Sequence, residues 1–284
     1  MCSYQRCLVC VMLIGLTVMP NVLAQPTWAQ DADLEARLEA LQRRKKDKVL
    51  KIVKDNQDAL IQVKIASKSS MSVGSFQAPE QEQTLTTDGT IIDPSGLCVV
   101  SHTQTDPMGL VGKMMGSMNV PGAAGKVKTN AKITDVKIVL NDGTELPAKI
   151  VLKDEDLDLS FVMPTRKGLD LPHVELDPSI EPDLLDSAVC VKRMGVSNGR
   201  ATVIQQGTVS AVIEKPRTLR VVSSASVGCP AFDREGRCFG IALMVMSFDE
   251  ISFSSMMSMS NASAMTPTVV PAAEILSVAE QIQR

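Results

Sequence analysis

The sequence predicts an all-β protein of the barrel or sandwich type. From Ala59 onward, short segments with strand periodicity alternate with turns, and their number and spacing are typical of such folds. Two of the turns, Asn141-Asp142-Gly143 and Arg234-Glu235-Gly236, are strong hairpin signals. The predicted strands are Ala59–Ile65, Thr90–Asp93, Leu97–Ser101, Ile133–Leu140, Glu145–Leu152, Asp158–Met163, Ala188–Lys192, Ala201–Val212, Thr218–Val222, Ala231–Asp233 and Cys238–Met246.

The composition indicates an aliphatic core and gives no sign of nucleic-acid binding. Aromatic residues make up only 3% of the chain, and the formal net charge is -3, whereas a nucleic-acid-binding surface needs a basic balance. Beyond the N-terminal segment the cysteines are Cys98, Cys190, Cys229 and Cys238. They show neither CxxC nor Cys/His spacing, so we expect no metal centre and no cofactor.

Residues 1–24 are expected to be a secretory signal peptide rather than part of the fold. An apolar run from Cys7 to Met19 follows a basic residue, and Val22-Leu23-Ala24 then resembles a cleavage site. The run is shorter than the roughly 20 apolar residues of a membrane helix. We therefore expect a periplasmic or extracellular protein without an integral membrane span after cleavage. Cleavage after Ala29 and an uncleaved anchor are the alternatives.

Two helices are predicted outside the strands. Residues 25–55 are rich in charged helix-forming residues, with no Gly or Pro after Asp31. The apolar residues of this segment form two short stripes, Leu34-Leu38-Leu41 and Val49-Ile52-Val53. We favour a solvated helix that docks its second stripe over a coiled-coil arm, since a coiled coil needs sustained apolar heptads. The second helix is predicted at Pro271–Gln283, with Pro271 in its first turn.

Four stretches, in this order, resemble the HtrA-type branch of trypsin-like serine proteases. They are Thr90–His102, Val136–Ser160, the strands Ser187–Met194 and Gln206–Ser210, and Ala225–Pro230 with the hairpin behind it. The resemblance implies two packed six-stranded-type β-barrels within residues 56–284, with the active site in the cleft between them. Barrel one is expected at about 56–166 and barrel two at about 167–270, followed by the C-terminal helix.

The resemblance also carries expectations about modules and assembly. Many members have a peptide-binding PDZ domain after the protease, and we expect none after the terminal helix of this chain. Trimers are common in the family, so a homo-oligomer is a further expectation.

The residues at the expected catalytic positions are unusual for a protease. The resemblance places Asp158 at the catalytic aspartate and Val227 at the nucleophilic serine. His102 matches the catalytic histidine only with a one-residue deletion, and without the gap Thr103 takes that position. Valine cannot attack a carbonyl, and threonine cannot act as a general base near neutral pH. We therefore expect no intact catalytic set, with Asp158 as its best-preserved member.

The loop around Val227 raises three further expectations. The oxyanion-hole positions are Ala225, Ser226 and Gly228. Ala225 stands where the family usually has glycine, and its Cβ puts the backbone geometry of an oxyanion hole in question. A displaced serine, Ser226 or Ser224, is the alternative nucleophile, and Cys229 lies two residues too late for that role. Cys229 and Cys238 flank the predicted second hairpin and are the candidate disulfide pair.

Two insertions rich in methionine distinguish the chain from a minimal relative. They are residues 106–130 and 244–265, and the second contains Met256, Met257 and Met259. Flexible or lid-like loops are the favoured interpretation, followed by an adaptable peptide-binding surface. Cu(I) binding by Met256, Met257 and Met259 ranks last, because no Cys or His accompanies them.

Three functions follow from these features. The favoured one is an exported protease homologue that has lost proteolysis and binds a peptide or protein ligand in the cell envelope, that is, a pseudoprotease. Val227 and Thr103 support it. The alternatives are an active serine endopeptidase with a displaced nucleophile and a Met-rich metal-handling envelope protein.

Overall fold

The computed structural model describes residues 27–73, 76–109, 127–245 and 266–282. The chain divides into two compact units, Met1–Arg44 and Lys45–Arg284. No helix within the described residues has the length and apolarity needed to cross a bilayer. Met256, Met257 and Met259, and most of both methionine-rich insertions, lie outside these residues.

The first helix, α1, spans Thr27–Asn56. Its second predicted stripe packs as expected, since Ile52 and Val53 are buried in the first core cluster. The first stripe, Leu34-Leu38-Leu41, is exposed. Charged pairs one turn apart, such as Arg37 with Asp33 at 2.9 Å, support the helix along its surface.

The first barrel is built from strands that follow α1. Their bounds are β1 (Leu60–Val73), β2 (Phe76–Gln77), β3 (Gln81–Ile91), β4 (Cys98–Ser101), β5 (Val127–Val139), β6 (Glu145–Asp154) and β7 (Leu159–Pro164), with the short helix α2 (His102–Thr105) after β4. The strand order is β1-β3-β4-β7-β6-β5, and pairing of β5 with β1 closes the barrel, while β2 pairs with the end of β1. The predicted Asn141-Asp142-Gly143 turn joins β5 to β6, and Gly143 has φ +90 there.

The second barrel is a separate closed sheet. Its strands are β8 (Ser187–Arg193), β9 (Thr202–Ile213), β10 (Leu219–Val222), β11 (Pro230–Phe232), β12 (Cys238–Leu243) and β13 (Thr268–Pro271), and helix α3 (Ala272–Ala279) follows. The order β10-β13-β12-β11-β8-β9 closes on itself. Two six-stranded antiparallel barrels with an N-terminal and a short C-terminal helix confirm the predicted fold class.

The structure corrects two local predictions. Asp158 lies in the turn before β7 and not within a strand, with φ +56, a left-handed conformation that Asp tolerates better than most residues. The helix predicted at Pro271–Gln283 is shorter, since Pro271 ends β13 and α3 spans Ala272–Ala279.

The barrels are joined through a shared apolar cluster. Leu97 and Phe161 of the first barrel pack in it with Ile241 of the second and Ile275 of α3. All four side chains are almost fully buried. Leu157 and Leu159, the neighbours of Asp158 in the chain, also pack in this cluster, so Asp158 lies beside a well-packed contact between the two barrels.

Candidate functional site

Asp158 is the centre of a buried hydrogen-bond network at the contact between the barrels. It is 3% exposed, and its carboxylate accepts from the Ser101 hydroxyl at 2.5 Å, the Thr103 amide at 2.6 Å and the Met244 amide at 2.8 Å. Burial raises the pKa of the carboxyl group above its usual value, and these hydrogen bonds act in the opposite direction. Three donors from two barrels therefore hold this side chain.

Thr103, and not His102, lies against the Asp158 carboxylate. The Thr103 amide donates to this carboxylate at 2.6 Å. The His102 ring instead meets the Ser160 hydroxyl, with Nδ1 to Oγ 3.2 Å, and its Nε2 lies 3.7 Å from a carboxylate oxygen of Glu155. The amide of Thr103 therefore contacts the Asp158 carboxylate, whereas the ring of His102 is directed to Ser160 and Glu155.

The start of α2 explains this arrangement. Ser101 is in extended backbone conformation and caps the helix, its hydroxyl accepting from the Gln104 amide at 3.4 Å. The His102 amide donates to the Asp158 carbonyl at 2.8 Å. Because the chain turns into a helix here, neighbouring side chains point in different directions, and His102 and Thr103 are separated onto different partners.

His102, Ser160 and Glu155 have the residue types of a catalytic triad, but the serine is inaccessible. Ser160 is 0% exposed, and its hydroxyl also contacts the Thr105 hydroxyl at 3.4 Å. The pKa of His102 is lowered, first by burial and then by the positive charge of Lys153, against the opposing pull of Glu155. A substrate carbonyl cannot reach Ser160 without opening of the barrel.

Val227 lies half-buried in the turn between β10 and β11. The next residue anchors this turn to the first barrel: the Gly228 carbonyl accepts from the Thr90 hydroxyl at 2.9 Å, and its amide donates to the Ala242 carbonyl at 2.7 Å. Gly228 has φ +83, and a Cβ placed on it would lie 2.3 Å from the Asp88 carbonyl oxygen. Glycine is therefore required on steric and conformational grounds.

The predicted oxyanion positions form hydrogen bonds within their own loop. The Ala225 amide donates to the Val222 carbonyl at 3.2 Å, and the Ser226 carbonyl accepts from the Cys229 amide at 3.2 Å. An oxyanion hole needs free amides aimed at the developing charge. In this conformation the Ala225 amide is not available for that role.

The displaced serine Ser224 is equally unsuited to attack. Its hydroxyl is buried and has no hydrogen-bond partner among the described residues. It lies against β9, where a Cβ added to Gly207 would come within 2.5 Å of it. No base contacts this hydroxyl in the described structure, although a serine nucleophile depends on an adjacent base.

Cys229 and Cys238 are free thiols, and the disulfide considered from the sequence is not formed. Cys238 pairs with Phe232 at one end of the β11–β12 hairpin, whereas the Cys229 carbonyl accepts from the Ala242 amide at the other end. The two therefore lie at opposite ends of the hairpin. Burial raises the pKa of each thiol to about 12, so neither is a reactive thiolate near neutral pH.

Asp88 is part of this region and was not singled out from the sequence. Its carboxylate accepts from the Gln62 amide at 3.1 Å and lies 3.3 Å from the Lys192 ammonium group. These contacts connect β1 and β3 of the first barrel with β8 of the second. Asp88 belongs to no recognisable motif. The surrounding residues, Thr-Thr-Asp-Gly-Thr, have no pattern that marks an aspartate as functional.

The sequence comparison agrees with the geometry. Residues 115–241 match the family described as the trypsin-like peptidase domain. The fold is trypsin-like. The matched range ends in β12 of the second barrel and covers both Asp158 and Val227. No curated protein shows a significant match to the chain.

Proposed function

We propose that this chain is an exported, HtrA-like homologue of trypsin-like proteases that has lost proteolysis and binds a peptide or protein ligand in the cell envelope. The observation that carries the proposal is the occupation of the Asp158 carboxylate by the Ser101 hydroxyl and the amides of Thr103 and Met244. No imidazole contacts this carboxylate in the described structure.

The chemistry of acyl transfer requires three functions that the site does not supply. A general base has to accept the proton of the nucleophile, and Thr103 cannot do so near neutral pH. A nucleophile is missing at Val227, which carries only hydrocarbon. An oxyanion donor is compromised because the Ala225 amide is bonded to the Val222 carbonyl. Loss of a triad member alone leaves only weak residual catalysis.

The scaffold proposed for binding nevertheless has extensive contacts between its two barrels. Two closed barrels meet through a shared apolar cluster, and polar contacts such as Thr90 with the Gly228 carbonyl tie the Val227 loop to the opposite barrel. Assembly into a homo-oligomer is part of the proposal and is compatible with this role.

An active endopeptidase with a displaced nucleophile is the second candidate. The contact of His102 Nδ1 with the Ser160 hydroxyl at 3.2 Å is the observation in its favour. The complete burial of Ser160 argues against it.

The test combines a chemical probe with a substrate assay. The chain is treated with a serine-reactive fluorophosphonate and, separately, with casein, with trypsin as the positive control. We expect no labelling and no casein cleavage, together with saturable binding of unfolded casein measured by fluorescence anisotropy. If the chain is labelled, and the labelling disappears in both His102→Ala and Ser160→Ala, the chain is an active serine hydrolase and the pseudoprotease proposal is wrong.

The localisation is tested independently. N-terminal sequencing of the protein from fractionated cells is expected to begin at Gln25 in the envelope or secreted fraction. A chain that retains residues 1–24 in the cytosolic fraction would contradict export without affecting the argument about catalysis.

A further inference from the structure

The barrel wall is incomplete between two neighbouring strands. β5 and β6 pair only next to their hairpin turn, through Lys137 with Pro147, Ile138 with Leu146 and Val139 with Glu145. Beyond these pairs β5 continues along β1, and β6 continues along β7. Within the described residues, the two edges that face each other across this gap have no strand partner.

A β-bulge in each strand explains why the strands separate. On β5, Asp135 pairs with Ala66 and Ile133 pairs with Ser67, so Thr134 is the extra residue. On β6, Val151 is the extra residue between Ile150 and Leu152. A bulge bends its strand and increases the local twist. Because the two bulges lie opposite each other, β5 and β6 separate there. The Thr134 hydroxyl stabilises the bulge in β5 by donating to the Ala66 carbonyl at 3.1 Å.

The gap forms a groove of about 580 Å³. It is lined by residues 133–136 of β5 and residues 148–153 of β6. Ile133, Ala148 and Ile150 are partly buried and pack against the core of the first barrel, so the floor of the groove is apolar. The volume is within the range of ligand-binding clefts, roughly 300 to 1,000 Å³.

The charged side chains of the lining are mainly basic. Lys149 and Lys153 are exposed, and neither forms a salt bridge with another described residue. Asp135 is the single acidic residue of the lining and lies 3.7 Å from the ammonium group of Lys137. The rim of β6 therefore presents two exposed positive charges beside a strand edge that has no partner among the described residues.

We propose that this groove, defined by residues 133–136 and 148–153, binds an extended peptide as an additional strand along β6. Backbone groups of the peptide pair with the open edge, apolar side chains face Ile133 and Ile150, and acidic side chains meet Lys149 and Lys153. Strand addition of this kind obtains affinity from main-chain hydrogen bonds and specificity from alternate side chains.

A second copy of the chain is a poorer occupant. Pairing of two β6 edges would bring Lys149 and Lys153 of one molecule against the same lysines of the other, and lysines on an edge strand commonly prevent such self-pairing. The groove shares no residue with the hydrogen bonds around Asp158 or with the Val227 loop, although the charge of Lys153 also lowers the pKa of His102. The peptide-binding test does not depend on whether proteolysis is lost.

The binding test uses a fluorescent peptide of about eight residues in which valine and glutamate alternate, measured by anisotropy. We expect saturable binding, and about tenfold weaker binding when lysine replaces glutamate or when alternate peptide nitrogens are methylated. Methylation removes the donors of the ladder without changing side-chain charge. Hydrogen exchange of Ala148–Lys153 is expected to slow when the peptide binds.

The protein-side test reverses the two rim charges. Lys149→Glu combined with Lys153→Glu is expected to weaken binding at least about tenfold. Lys46→Glu, an exposed lysine of α1, is the matched control and is expected to stay within about twofold.

Three outcomes would overturn the proposal. They are no binding at about 1 mM peptide, binding that is insensitive to peptide methylation, and a dimer in sedimentation equilibrium that the rim reversals dissociate. The last result would identify a second copy as the occupant. If the double variant fails to fold by circular dichroism, the methylated peptide on the unaltered protein still decides the question.

Discussion

The backbone amide of Thr103 donates to Asp158 Oδ1 at 2.6 Å. The Ser101 hydroxyl and the Met244 amide complete the coordination of the carboxylate, and no imidazole contacts it among the described residues. Asp158 therefore has a structural role in this chain, connecting the start of α2 to the second barrel.

The structural role of Asp158 predicts an order of stability among its variants. Asp158→Asn keeps a residue that tolerates φ +56, but its amide group meets at least one buried backbone donor, so we expect a loss of about 1–3 kcal/mol. Asp158→Ala leaves all three donors without an acceptor and adds backbone strain. Urea unfolding is expected to rank wild type above Asn and Asn above Ala. Equal stability of wild type and Asp158→Ala would contradict this role.

The lowered pKa of His102 predicts acid sensitivity. Because its folded-state pKa lies below the unfolded value near 6.5, the contribution of His102 to stability is complete above that value. It is lost as the pH falls through the folded-state pKa. The free energy of unfolding of His102→Gln is therefore expected to fall less between about pH 7.5 and pH 5 than that of the wild type.

The matched control is the other histidine of the chain, since the sequence contains 2. His173→Gln removes the same chemical group at a different place in the chain, so the slopes of the two variants are compared under identical conditions. If His102→Gln shows the same slope as His173→Gln, burial of the neutral His102 ring is not a source of the acid sensitivity.

Gly228 offers a test of how tightly the Val227 loop is held. Gly228→Ala would place a Cβ 2.3 Å from the Asp88 carbonyl oxygen, whereas Gly168 also has positive φ but has nothing within 4 Å. Gly168→Ala is expected to cost about 1 kcal/mol from backbone strain alone. Gly228→Ala is expected to cost at least about 3 kcal/mol, because the backbone has to move as well. Thermal unfolding of the two variants separates backbone strain from steric exclusion. Equal losses of stability in the two variants would show that the loop around Val227 shifts without a steric cost.

The buried thiols predict chemical inertness. Cys98, Cys190, Cys229 and Cys238 are free and buried, and burial raises the pKa of each. We expect a thiol reagent to modify none of them in the folded protein near pH 8 and all of them in denaturant. Peptide mapping by mass spectrometry identifies each site separately. A linked Cys229–Cys238 peptide in the non-reduced map would contradict the hairpin geometry.

The turns and most strands were predictable from local patterns. Asn141-Asp142-Gly143 and Arg234-Glu235-Gly236 both form the expected hairpin turns, with Gly143 and Gly236 at positive φ. The extension of β1 to Val73 was not predicted, because its polar residues have no strand alternation and gain their order from pairing with β5.

Residue identity alone shows that position 227 carries no nucleophile, because the side chain of Val227 is a hydrocarbon in every conformation of its loop. The sequence does not decide whether His102 or Thr103 corresponds to the catalytic histidine, because a one-residue deletion cannot be detected by counting along a single chain. What the tertiary structure adds is the set of donors around the Asp158 carboxylate, namely the Ser101 hydroxyl, the Thr103 amide and the amide of the distant Met244. Hydrogen bonds between segments far apart in sequence depend on how the barrels pack, and no local pattern encodes that packing.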